Sequence, residues 1–137
     1  MNNGFTLSIP SKTSVSEIIL SVRVNDLKIG WHCKPVSDLI MIKGVRGYSW
    51  LYWSNGTKQM MAYTIKHYAD LLPTNDFIRV HQNCVINRNF VQKTQLTHRG
   101  PLLRLASGAE IMISRRRWTM VKKQLQHLSI NNQLGNN

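Results

Sequence analysis

Residues 38 to 62 read DLIMIKGVRGYSWLYWSNGTKQMMA, and their punctuation decides the fold. Asp38-Leu-Ile-Met-Ile-Lys43 is a short apolar run of strand length, and Tyr48 to Trp53 is aromatic and strand-like. Ser54-Asn-Gly56 then turns the chain into a further short run from Lys58 to Ala62, so the segment reads as a hairpin. Gly44-Val-Arg46-Gly47-Tyr48-Ser49 joins the first two runs; its glycines permit close backbone approach, and Arg46 and Tyr48 can reach outward.

Upstream, Ile18 to Val24 and Leu27 to Cys33 read as short strands around Asn25-Asp26, ended by Pro35. Downstream, Thr64 is a candidate N-cap for a helix of about two turns, because Ile65, Tyr68, Leu71 and Leu72 recur at helical spacing until Pro73. Phe77 to Val80 and Cys84 to Ile86 are apolar pieces around the polar His81-Gln82-Asn83, and Phe90 to His98 reads as another strand. Leu102 to Leu105 and Glu110 to Ile113 flank Ala106-Ser-Gly108-Ala as a second hairpin. Ser114 opens a helix with Trp118, Val121, Leu125 and Leu128 on one stripe and Lys122 and Lys123 off it. The pattern is mainly β with two helices, in a folded domain over 17–128 between mobile ends at 1–16 and 129–137.

The chain has 137 residues, room for one ordinary domain, and carries 18 Lys+Arg against 6 Asp+Glu, a formal net charge of +12. Four basic and two acidic residues precede Asp38, whereas fourteen basic and four acidic residues lie from Asp38 to Leu128. Such one-sided charge suits an anionic partner, with nucleic-acid phosphate first and an acidic membrane surface second. The six acids, Glu17, Asp26, Asp38, Asp70, Asp76 and Glu110, offer no local carboxylate pair for acid/base work or a two-metal site, so no enzyme is expected. Cys33 and Cys84 form no C-x-x-C, and His32-Cys33 with His81-x-x-Cys84 lacks the spacing of a zinc knuckle. No metal, cofactor or small-molecule substrate is expected. Neither an export signal nor an apolar run of membrane-spanning length is present, which suits a cytoplasmic protein without a membrane partner.

Ser114-Arg115-Arg116-Arg117 sets three cations at a helix N-terminus, where the macrodipole favours anions, an arrangement that makes sense against phosphate or a guanine edge and otherwise reads as a solvated basic turn. Arg79-Val-His81-Gln82-Asn83 through Asn87-Arg88-Asn89 clusters amides and cations between apolar anchors, although His81 reads equally as a structural histidine in a turn. Tyr48, Trp50, Tyr52 and Trp53 offer a stacking strand for RNA or single-stranded nucleic acid; the plainer account is a strand buried on both sides.

Three blocks together resemble a known family: Asp38-Leu-Ile-Met-Ile-Lys-Gly-Val-Arg-Gly-Tyr-Ser, Leu72-Pro-Thr-Asn-Asp-Phe-Ile-Arg-Val-His-Gln-Asn-Cys-Val-Ile-Asn87 and Gly108-Ala-Glu-Ile-Met-Ile-Ser-Arg-Arg-Arg117. From Asp38 to about Leu125 the chain resembles a LytTR-type DNA-binding domain, the output module of many bacterial response regulators. The resemblance implies an elongated, antiparallel β fold with two short helices. In such a fold loops, rather than a recognition helix, enter successive major grooves of a direct-repeat site bound by a pair of copies. It implies a sequence-specific, double-stranded DNA-binding transcriptional regulator, here expected to stand alone without a receiver domain. Carried over by motif position, base contacts are expected from Arg46, Tyr48, Ser49, His81, Gln82 and Arg116. Arg79, Asn83, Asn87, Arg88, Arg115, Arg117 and Lys122 are then expected on phosphate or positioning the loops. Where the family often has Arg-Ser after the histidine, this chain has Gln82-Asn83, exchanging a cation suited to guanine for an amide suited to adenine.

Overall fold

A computed structural model describes the backbone of residues 5–8 and 19–136 and the side chains of residues 20–126. The chain divides into two compact units, residues 1–72 and 73–137. Strands and two α-helices account for most of the described backbone, so the fold is mainly β, as the sequence predicts.

In the first unit, β1 (Phe5–Ser8), β2 (Ile19–Asp26) and β3 (Gly30–Pro35) form an antiparallel sheet in the order β1-β2-β3. Strand β1 falls inside the segment expected to be mobile at 1–16; most of that segment, and the side chains of 129–137, lie outside the described residues. The β2–β3 turn sits two residues later than its sequence suggests, at 27–29. Asp26 is the reason: its Oδ1 accepts the Lys28 backbone N–H at 2.7 Å, and Gly30 supplies a left-handed step at φ +75°. That hydrogen bond holds the Asp26 carboxyl below its ordinary pKa.

Strands β4 (Leu39–Val45), β5 (Tyr48–Trp53) and β6 (Lys58–Met61) form a meander, followed by helix α1 (Ile65–Leu71). Thr64 caps α1, its hydroxyl accepting the His67 N–H at 3.1 Å. Gly44 lets α1 approach β4 closely, since a Cβ at 44 would lie 3.2 Å from the Ile65 Cβ. Val22, Val24, Leu39, Ile42, Leu51, Trp53 and Tyr68 make the core of this unit. Strand β5 is buried on one side only: Ser49, Leu51 and Trp53 face inward, whereas Tyr48, Trp50 and Tyr52 stay partly open. The expectation of a strand covered on both sides is therefore corrected. Lysines rather than apolar groups lie over the outer rings, Lys58 at 4.4 Å from the Trp50 centroid and 5.7 Å from that of Tyr52.

In the second unit, β7 (Phe77–His81) and β8 (Cys84–Asn87) form a hairpin. Strands β9 (Val91–Thr97), β10 (Gly100–Leu105) and β11 (Glu110–Met112) make an antiparallel sheet in the order β11-β10-β9. Helix α2 (Arg115–Asn136) contacts β7 and β10 and buries Val121 and Leu125, the stripe its sequence spacing predicts. Ile78, Val80, Ile86, Leu103 and Leu105 complete that core.

Two buried side chains of the first unit make opposite predictions. Ile42 is fully enclosed, so Ile42→Ala should cost about 2 to 5 kcal/mol. The buried Tyr68 hydroxyl has no hydrogen-bond partner among the described residues, and burial pushes its pKa up; Tyr68→Phe should leave stability unchanged or raise it by about 1 kcal/mol. Urea denaturation of both variants checks the pair, and a substantial loss in Tyr68→Phe would show that the hydroxyl is satisfied.

Candidate nucleic-acid interface

The β4–β5 connection is the shortest a hairpin allows. Val45 pairs with Tyr48, leaving Arg46 and Gly47 as its central residues with φ of 49° and 87°. Positive φ at both positions is the signature of a type I′ turn, whose twist matches that of the strands. Arg46 is the sole non-glycine residue with positive φ among the described residues, and the left-handed region costs an L side chain about 1 to 2 kcal/mol. Asparagine or glycine would sit there with less strain, so a guanidinium held there points to a use outside the fold. Arg46 is exposed, and Tyr48 beside it is 51% exposed. Ser49, expected among the base contacts, is instead wholly buried, and its hydroxyl donates to the Tyr63 carbonyl at 2.7 Å. Strand alternation turns it inward, away from any ligand.

The second turn is equally tight. His81 pairs with Cys84 across Gln82-Asn83, and the side chains of His81, Gln82 and Asn83 are all exposed. Arg79 clamps the turn from below: its Nη2 donates to the Gln82 carbonyl at 2.7 Å, while the Asn83 N–H reaches His81 Nδ1 at 3.3 Å. Arg79 therefore positions the loop. Asn87 is buried and accepts the Asn89 N–H at 2.9 Å, opening a short 3-10 turn over Arg88–Phe90. Arg88 reaches the other way, its Nη1 donating to the Gln124 carbonyl of α2 at 3.2 Å. Of these two expected site residues, Asn87 shapes the turn and Arg88 ties it to α2.

The start of α2 is attached directly to the Gln82 hairpin, because the Ser114 N–H donates to the Val80 carbonyl at 2.8 Å. One hydrogen bond thus brings Ser114 and the following Arg115, Arg116 and Arg117 to the strand end that carries His81 and Gln82. Neither sequence block signals this link, since the partners are 34 positions apart and both are backbone atoms. Arg115 and Arg116 are exposed, and Arg117 is half-buried. The first turn of α2 contains no acidic residue, so three positive charges stand at the positive end of the helix dipole without local compensation. Among the described residues the ion pairs are Lys66–Asp70 and Arg104–Glu110, neither involving Arg46 or the arginine triplet. Lys122 lies one turn further along α2, exposed, 5.8 Å from the Trp118 ring. Both clusters offer unneutralised guanidiniums, beside the exposed Tyr48 in the first and the exposed amides of Gln82 and Asn83 in the second, sets suited to phosphate oxygens and base edges.

Among the described residues no group of three or more His, Cys, Asp or Glu converges as metal ligands would, and no helix is long and apolar enough to cross a membrane.

A family model described as the LytTr DNA-binding domain matches residues 30–126. Among solved structures, the chain is similar to the LytTr DNA-binding domain of a Bacillus cereus protein named as a methyl-accepting/DNA response regulator. The match has a TM-score of 0.68 at 22% identity and covers 77% of this chain and 95% of that one. No curated protein sequence matches the chain.

The strain at Arg46 can be measured. Arg46→Gly should raise stability by about 0.5 to 1 kcal/mol, the relief of the left-handed conformation less the greater freedom glycine gives the unfolded chain, whereas Arg46→Val should lower it. Denaturant midpoints for the two variants check the sign; a less stable Arg46→Gly protein would contradict the strained turn.

Proposed function

The chain belongs to the LytTr DNA-binding domain family, and on that premise we propose that it is a sequence-specific, double-stranded DNA-binding transcriptional regulator. The observation that carries this reading is the hydrogen bond from Ser114 to Val80, which delivers an uncompensated arginine triplet to the same strand end as an exposed amide turn. Cations fix a duplex through its phosphates, and amides and guanidiniums discriminate bases in the major groove. In this reading Arg116 pairs with a guanine edge and Gln82, oriented by Arg79 and flanked by His81, with adenine. Arg46 and Tyr48 read from the strained turn of the first unit. Arg115, Arg117, Asn83 and Lys122 contact or line the phosphates and supply most of the affinity and its salt dependence. Two copies occupy a direct repeat. The family is named for DNA binding rather than for a catalysed reaction, and no catalytic step is assigned to any residue.

The aromatic strand β5 is the rival surface, for unpaired bases. Lys58 and Lys43 lie over the rings of Trp50 and Tyr52, where bases would have to stack, which favours the duplex reading.

Binding-site selection from random duplex DNA tests the proposal, with a repeated half-site as the expected outcome and recovery without a motif as the contrary one. On the selected site, Arg116→Ala should weaken binding by about 1 to 3 kcal/mol and relax one base position. Lys122→Ala should weaken selected and random duplexes alike and reduce the salt slope by about 1. Equal losses on both duplexes for Arg116→Ala would remove it from base recognition, and single strands outcompeting the duplex would turn the assignment to β5.

A further inference from the structure

The first unit carries an apolar groove that the DNA-binding reading does not use. It is an open depression of about 640 Å³ between the β2–β3 turn and the outer side of β5 and β6, lined by Asp26, Leu27, Lys28, Trp50, Lys58 and Met60. Leu27 is 107% exposed and its turn neighbour Ile29 68%, while Met60 is 41% exposed. Two large aliphatic side chains at the tip of one tight turn, next to a half-open tryptophan and methionine, form an apolar surface that is costly to leave in water, and such surfaces mark interaction sites.

The charge around this surface is positive on balance. Lys28 and Lys58 line it, and neither belongs to an ion pair among the described residues. The one carboxylate, Asp26, is engaged with the Lys28 backbone N–H and shapes the turn itself. Lys58 is parked over Trp50 and Tyr52, where it can swing to a carboxylate without uncovering a buried group. Asp26 stays ionised and offsets Lys28 in part, so two ammonium groups stand against one carboxylate, and this positive excess beside apolar side chains complements a ligand that is itself apolar and acidic.

We propose that this groove, built by Leu27, Lys28, Trp50, Lys58 and Met60, docks an amphipathic acidic segment of another protein. A second copy of this chain is a poor occupant, since its six acidic residues are scattered with none closer than six positions to the next. Phosphodiester backbone would not bury Leu27 and Ile29. The proposal stands independently of the DNA-binding reading.

The test uses 15N-labelled full-length chain titrated with a panel of amphipathic peptides of about 16 residues that combine Leu with Glu and Asp, a length that covers such a groove. Lys-for-Glu versions of the same peptides, oligothymidine and phosphatidylserine vesicles serve as competing probes. The four tryptophans, Trp31, Trp50, Trp53 and Trp118, provide indole signals that locate the site. The acidic peptides should shift the Trp50 indole and the Leu27 and Met60 amides saturably, leave Trp118 unmoved, and bind at least about tenfold more tightly than the lysine versions. Lys58→Glu and the milder Met60→Ala should each weaken the peptide several-fold while duplex affinity stays unchanged, with a native spectrum confirming the fold. Equal binding of both peptide charges, absence of saturable shifts, or tighter response to oligothymidine or vesicles would overturn the proposal. So would loss of duplex binding in Lys58→Glu, which would give the face to DNA. Failure of the unmodified chain to bind duplex, with peptide binding retained, would overturn the DNA reading alone.

Discussion

The pairing register of β4 with β5 is the constraint from which the first unit follows. With Val45 opposite Tyr48, two residues remain for the turn, so both must take positive φ and the strands keep their native twist. The same register sends Ser49, Leu51 and Trp53 into the core and leaves Tyr48, Trp50 and Tyr52 outside. A slip of one residue would exchange those faces, exposing Leu51 and Trp53 and burying two rings with lysines over them. Core, turn and outer face are thus one decision, enforced chiefly by the water excluded from Leu51 and Trp53.

What the unit gains in packing it gives back in part at Arg46. Holding a long cationic residue in left-handed backbone is tolerable because the hairpin around it is over-determined by its ladder and by the buried Ile42 and Leu51. The second unit shows an electrostatic counterpart. Arg115, Arg116 and Arg117 repel one another and the helix dipole, and the amide of Ser114, tied to Val80, keeps the helix start where this repulsion is sited. Both features lower the stability of the free protein, but they differ in kind: an anion beside the start of α2 would offset the repulsion there, whereas the backbone strain at Arg46 does not depend on what its guanidinium meets.

The residues expected in two groups, base contacts and phosphate or loop-positioning residues, separate into three kinds once their partners are known. Arg46, Gln82 and Arg116 project into solvent, as a ligand-reading role requires. Arg79 and Arg88 spend hydrogen bonds on the Gln82 and Gln124 carbonyls and so shape the surface rather than extend it. Ser49 and Asn87 are buried, their side-chain oxygens engaged with backbone groups. Polar residue type marks the neighbourhood of an interface; whether a given oxygen meets solvent or a carbonyl depends on strand alternation and on what packs behind it.

The sequence by itself determined the element order, the class and the charged clusters. Apolar runs of strand length, the Thr64 cap, the Pro73 stop and the Trp118, Val121, Leu125 stripe are local signals, and local steric and solvation preferences act over a few residues. It misplaced the β2–β3 turn because Asn25-Asp26 is ordinary turn chemistry, while the Asp26 carboxylate moves the bend to 27–29. Only the tertiary structure decided that Ser49 is spent in the core, that the outer face of β5 is half open under lysines, and that the arginine triplet is attached to the Gln82 turn. Those outcomes depend on atoms brought close from distant positions, and a backbone hydrogen bond such as that between Ser114 and Val80 leaves no trace in residue identity.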